Sequence, residues 1–156
     1  MTTGKLTVQP EILDQKLRFA GYTVMNVFLE IARQIGRNTG LDAASILILA
    51  TINNASVQRT IRQPEDANIH TTDEGLDPVY FHSISRRAVA EATGLNRELV
   101  RRKINQMIEA GIVQEDEDGV KTMNVVLHPK VGKSVRSFVA AHAHATNQLI
   151  KEDILR

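Results

Sequence analysis

The first strong pattern along the chain is an apolar seam. Leu13, Leu17, Ala20, Val24, Val27 and Ile31 are spaced 4, 3, 4, 3 and 4 residues apart, the interval that lines side chains along one stripe of a helix. The spacing predicts a long amphipathic helix over 12–35. Pro10 stands just ahead of it, where a missing N–H is tolerated, and Gly36, Asn38, Thr39 and Gly40 supply its stop. A second seam closes the chain, with Val135, Phe138, His142, Ala145 and Leu149 falling 3, 4, 3 and 4 apart. Two narrow stripes at opposite ends of one chain point to a shared interface between two copies, so the terminal helices are read as dimerisation helices. Between them, Asp42 is placed as the N-cap of a helix whose Ile46, Leu47, Ile48, Leu49 and Ile52 are apolar around much of its circumference. That helix is expected at the centre of the core.

The helical pattern lapses between 62 and 78. Pro64, Gly75 and Pro78 break it, and Glu65, Asp66, Asp73, Glu74 and Asp77 oppose the single Arg62, which predicts a solvated, mobile acidic loop. Val79, Tyr80 and Phe81 then suggest a short strand. Ser85 is suited to cap a helix over 86–93, with Ile84 as its hydrophobic staple and Gly94 as its stop. Leu95 turns inward, and Asn96 caps a longer helix over 97–110. Val100, Ile104, Met107 and Ile108 lie on that helix's buried side and Gly111 ends it. Residues 112–115 and 120–127 read as two strands joined by Asp116, Glu117, Asp118 and Gly119, with Met123, Val125 and Leu127 alternating.

This order predicts a mainly α protein with a small β-hairpin wing: a winged helix-turn-helix flanked by N- and C-terminal dimerisation helices. In such a module the second helix of the motif enters the DNA major groove. One domain over 1–156 accommodates it, comprising N-terminal helices at 11–61, the acidic loop at 62–78, the winged motif at 79–127 and a C-terminal helix at 133–155.

Charge sharpens the reading locally rather than globally. The 156 residues carry 19 basic and 18 acidic side chains, so the total favours no polyanionic partner. Residues 85–104, however, hold Arg86, Arg87, Arg97, Arg101, Arg102 and Lys103 against only Glu91 and Glu98. Six aromatic residues in all, none of them Trp, are too few for the stacking platforms of single-strand binders, which leaves a duplex reader open.

Arg97, Arg101 and Asn105 recur every four residues and are expected to face the groove. Arginine grips guanine O6 and N7 with two hydrogen bonds, and Asn does the same for adenine. Arg97 and Arg101 are the leading base readers. Glu98 either accepts from cytosine N4 or, as the better reading, pairs with Arg102 one turn on. Arg86 and Arg87 open the first helix of the motif, where phosphate contacts position without specifying. Asn96 and Lys121 complete the expected DNA-contacting set. Lys121 is the only base on the hairpin, whose Glu115, Asp116, Glu117 and Asp118 would repel phosphate.

The run 84–113 resembles the winged helix-turn-helix of bacterial transcription regulators, MarR-type repressors above all, on the strength of Ser85, Arg86, Arg87, Gly94, Asn96, Arg97, Arg101, Arg102 and Gly111. The terminal helices share that family's layout. The resemblance implies a homodimer on a palindromic operator and, commonly, a small-molecule effector held between the dimer and DNA-binding regions.

Other chemistries are disfavoured. Cysteine is absent, and the five histidines are scattered, so no zinc pattern arises. Neither a nucleophile elbow nor a phosphate loop is present, and the expectation is no catalytic residue, no metal and no cofactor. His142 on the closing seam reads as packed or interfacial. The N-terminus lacks an apolar signal region and the longest apolar run, 46–50, is far short of a span, so a cytoplasmic protein without membrane contact is expected. The rival reading is a winged-helix module that binds another protein through its acidic loop and wing.

Overall fold

The computed structural model describes residues 4–62, 70 and 75–156; the acidic loop expected at 62–78 lies largely outside them. Helices dominate, with one two-stranded antiparallel sheet. No single helix is long and apolar enough to cross a membrane.

The predicted opening helix is two helices, α1 (Pro10–Gln15) and α2 (Leu17–Thr39), broken at Lys16. The break has a long-range cause. Lys16 Nζ donates to the Glu152 carbonyl at 3.1 Å and pairs with its carboxylate at 2.8 Å. Just ahead of α1, the chain is zipped to the C-terminal tail by reciprocal Thr7 and Arg156 backbone bonds and by Gln9 N–H donating to Ile154. Gly36 remains helical, and α2 ends where Gly40 turns left-handed (φ 75°) and donates to the Gly36 carbonyl.

Helix α6 (Pro129–Lys151) runs antiparallel to α2 along its length. Lys16 meets Glu152 at one end, and Asn38 donates to Ser134 Oγ at 2.8 Å at the other. The residues buried on these helices are small: Ala20 and Thr23 on α2, Ser134 and Ala145 on α6, which lets the axes approach closely. The expected α2 seam is therefore split. Ala20 is buried and Val27 and Ile31 are half-buried, whereas Leu17 and Val24 face solvent. His142 is likewise exposed in the single chain, not packed.

The core lies around α3 (Ala43–Arg62), α4 (Arg86–Thr93) and α5 (Arg97–Glu109). Asp42 starts α3 as predicted, its Oδ1 accepting from Ser45 N–H at 2.9 Å. Ile48, Leu49 and Ile52 meet Val89 and Ala90 of α4, Val100, Ile104 and Met107 of α5, and Val113 and Val120 beyond them. Each such fully buried Ile, Val or Met side chain contributes about 1.5–3 kcal/mol. Leu47 is 46% exposed, so α3 buries one face rather than its whole circumference.

The hairpin is shorter than predicted: β1 (Gln114–Asp116) pairs with β2 (Gly119–Lys121), Glu115 opposite Val120. Ile84 adds a third rung, exchanging two 2.9 Å hydrogen bonds with Val120. The strand expected at Val79–Phe81 is instead a 3₁₀ turn, Pro78–Tyr80. Pro78 presets its first φ, and the Asp77 side chain accepts from Val79 N–H.

The second predicted strand stops at Lys121 because Thr122 turns into α3. Thr122 is fully buried; its N–H donates to Ser56 Oγ at 3.1 Å and its hydroxyl to Asn53 Oδ1 at 3.0 Å. Asn124 then adopts φ 49°, and its amide both accepts from Leu76 N–H and donates to Leu76 C=O. Val125–Leu127 coils into another 3₁₀ turn where alternation had suggested strand. Ser56→Ala is expected to leave the Thr122 N–H buried without an acceptor and to cost about 1–3 kcal/mol, read from denaturant unfolding. An unchanged midpoint would show that this bond does not hold the hairpin to α3.

Candidate nucleic-acid interface

Local chemistry sets the geometry of α4 and α5. Ser85, in an extended conformation, caps α4 by accepting from Ala88 N–H at 3.1 Å. Gly94 ends that helix at φ 68°, a left-handed conformation that a Cβ resists. Asn96 Oδ1 accepts from Glu98 N–H at 2.9 Å and from Leu99 N–H at 3.4 Å, which starts α5. With Val100, Ile104 and Met107 buried in the core, the opposite side of α5 faces solvent.

The exposed row is not quite the predicted one. Glu98, Arg102 and Gln106, four residues apart, are all exposed. The row of Arg97, Arg101 and Asn105 is rotated toward α4, so Arg97 and Arg101 are open whereas Asn105 is half-buried. Asn105 Oδ1 accepts from Arg86 Nη1 at 2.8 Å. Because arginine only donates, the amide must turn its oxygen toward it, which occupies the acceptor edge needed for adenine.

Arg86 is a clamp between elements. Its Nε and Nη2 hold both oxygens of Glu115 at 2.9 and 3.0 Å, while Nη1 reaches Asn105 and, at 3.4 Å, the Arg101 carbonyl. It therefore ties α4, α5 and β1 together, where a phosphate contact had been expected. Arg87 pairs with Glu91 at 2.8 Å. Glu98 binds Arg101, three residues on, and not Arg102: Arg101 Nε and Nη2 donate to its two oxygens at 2.9 and 2.6 Å. Lys103 pairs with Asp42. Lys121 pairs with Asp116 at 2.8 Å and is only 18% exposed, so its charge is spent within the hairpin.

Arg97 and Arg102 make no ion pair among the described residues. The positive surplus counted over 85–104 is thus partly offset by Asp42 and Glu115, which reach Lys103 and Arg86 from outside that window. The i,i+4 spacing of Arg87 and Glu91 signals their pairing in the sequence. Nothing local signals Arg86 with Glu115, which are 29 residues apart.

The acids of the hairpin divide by role. Asp116 accepts from Lys121, from Ser83 Oγ at 2.8 Å and from the N–H groups of Asp118 and Gly119. The Lys121 ammonium first, then Ser83, holds its carboxyl down to about 2. Asp42 is likewise held at about 2, by Lys103 and then by Ser45 N–H. Arg101 lowers Glu98, and Glu98 in turn raises Arg101.

The sign of the pH dependence follows. Both aspartates are depressed below the ordinary 3.8, so the stability they add is complete above that value and is lost as pH falls through about 2. Acid unfolding followed by far-UV circular dichroism is expected to begin between about pH 4 and 2 and to shift in Asp116→Asn; an identical acid limb in the variant would contradict this.

Among the described residues no three metal-ligating side chains converge. A cleft of about 340 Å³ lies where Val126 and His128 meet Val135 and Arg136 of α6. Beside the α1–α2 break, Phe19 and Tyr22 line an open groove of about 550 Å³.

No protein-family model matches the chain, and no curated protein or solved structure matches it either.

Proposed function

We propose that the chain is a winged helix-turn-helix regulator of MarR-like type that binds double-stranded DNA sequence-specifically as a homodimer. In this reading α5 enters the major groove, with Arg97, Arg101 and Arg102 presented to it. The observation that carries the proposal is the first two turns of α5. They project three exposed arginines, two of them without an ion-pair partner among the described residues, from a helix whose other side is anchored by Val100, Ile104 and Met107. Rigid presentation of cations on a capped helix is what base readout requires.

The homodimer is supported by α2, which leaves Leu17, Val24, Met25 and Phe28 each more than half exposed. A contiguous apolar face of that kind marks an interaction surface. A palindromic operator and a small-molecule effector belong to the same proposal, the 340 Å³ cleft against α6 being the place for the latter.

Affinity for duplex DNA as a function of salt tests the reading. Two unpaired arginines from each of two protomers imply a loss of roughly 100-fold between 50 and 200 mM salt. The rival, a protein-binding module, is favoured by a specific observation: Glu117 and Asp118 remain at the wing tip while five of the motif's cations are internally paired. A flat salt dependence with no duplex retained would favour it.

A further inference from the structure

We propose that Glu98 is a positioning residue for base recognition, holding the Arg101 guanidinium side-on so that its end-on edge reads a guanine. The inference rests on the DNA-binding reading above and goes beyond it by assigning a base and a determinant. Arg101 spends Nε–H and one Nη2–H on the two Glu98 oxygens, at 2.9 and 2.6 Å. A guanidinium has five N–H donors in a rigid plane, so both Nη1–H bonds and the second Nη2–H stay free. One Nη1–H and that second Nη2–H form the end-on fork, whose parallel donors match guanine O6 and N7.

The pair is open to a ligand. The Arg101 side chain is 56% exposed and that of Glu98 70%, both within the first two turns of α5, the part of a recognition helix that meets base edges. Glu98 N–H is itself held by the Asn96 cap, so the carboxylate projects from a fixed start of the helix. A free arginine must lose the freedom of several torsions when it binds. One already forked onto a carboxylate has its plane set beforehand and is directed at an acceptor pair in one orientation.

The carboxylate also carries a cost. Near a duplex it repels phosphate, so Glu98 exchanges general affinity for selectivity. The two roles make opposite demands on one variant. Glu98→Gln keeps the shape and removes the charge, and should lower base selectivity while raising affinity for unrelated duplex.

The test compares wild type, Glu98→Gln and Arg101→Ala by selection from random duplex, followed by competition titrations against single-base operator variants and against unrelated duplex. Wild type is expected to prefer guanine roughly 5- to 150-fold at one base pair per half-site. Arg101→Ala should abolish that preference at that pair alone. Glu98→Gln should reduce it several-fold and strengthen binding to unrelated duplex, with unchanged thermal unfolding.

Three results overturn the proposal and leave DNA binding standing: an intact guanine preference in Glu98→Gln, an equal gain on every sequence, or a uniform loss in Arg101→Ala, which would make Arg101 a phosphate contact. If wild type itself enriches nothing, the DNA-binding reading fails before any variant is compared, and this inference fails with it.

Discussion

Gly119→Ala is expected to undo the β-hairpin and to destabilise the protein by roughly 3 kcal/mol or more, an effect assembled from strain and collision. Gly119 has φ 139°, a conformation that side chains resist, and a Cβ there would stand 2.4 Å from the Ile84 carbonyl oxygen and 2.7 Å from its carbon. Neither is the yielding end of a side chain. The Ile84 backbone forms the third rung against the fully buried Val120 and leads directly into Ser85, the cap of α4. Relieving the collision therefore moves the sheet and α4 together. Gly111→Ala is the control. Gly111 is also left-handed (φ 72°), but nothing lies within 4 Å of its added Cβ, so only the backbone term of about 1–2 kcal/mol applies. Urea midpoints of the two variants should differ clearly; equal losses would mean that the close Gly119–Ile84 approach is not a feature of the folded hairpin.

Phe28→Asp should separate the folding of one chain from its pairing. Phe28 is 61% exposed, in line with Leu17 at 61% and Val24 at 55%, so within a single chain the substitution meets solvent and costs little. Across a dimer interface it would bury an unpaired carboxylate, which is strongly unfavourable. The proposed dimer therefore predicts a wild type that sediments at twice the chain mass and a folded variant that sediments as a monomer. Loss of the second reading head should then weaken binding to a two-site duplex by roughly 100-fold or more. A wild type already monomeric at micromolar concentration would contradict the dimer, as would a variant whose mass is unchanged.

What the sequence makes legible here is the chemistry that acts within a turn or two. Asp42, Ser85, Gly94 and Asn96 cap or stop their helices as their side chains dictate, because each partner lies two to four residues away. The residues that mislead are those with distant partners. Alternation from Val120 to Leu127 resembles a strand, but Thr122 is drawn out of the ladder by Ser56, 66 positions earlier. Val79–Phe81 has strand-like side chains, yet Pro78 and Asp77 close a turn over them.

The candidate site divides the same way. That α5 presents arginines to solvent follows from its period. Which cations of α4 and α5 are already paired does not, since Glu115 reaches Arg86 and Asp42 reaches Lys103 from other elements. On α2 the heptad spacing correctly marks an apolar helix, but α6 takes the row through Ala20 and Thr23, leaving Leu17 and Val24 of the marked seam uncovered. Spacing alone does not say which of two adjacent stripes a neighbour will cover.

The central claim is that two copies of this chain read duplex DNA by sequence. Selection of random duplex on the purified protein at moderate salt, with sequencing of what is retained, tests it most directly. The account predicts an enriched palindrome whose half-sites are centred about one helical turn apart, roughly 10 base pairs. No enrichment from a folded, dimeric protein would contradict it and turn attention to a protein partner for the acidic hairpin.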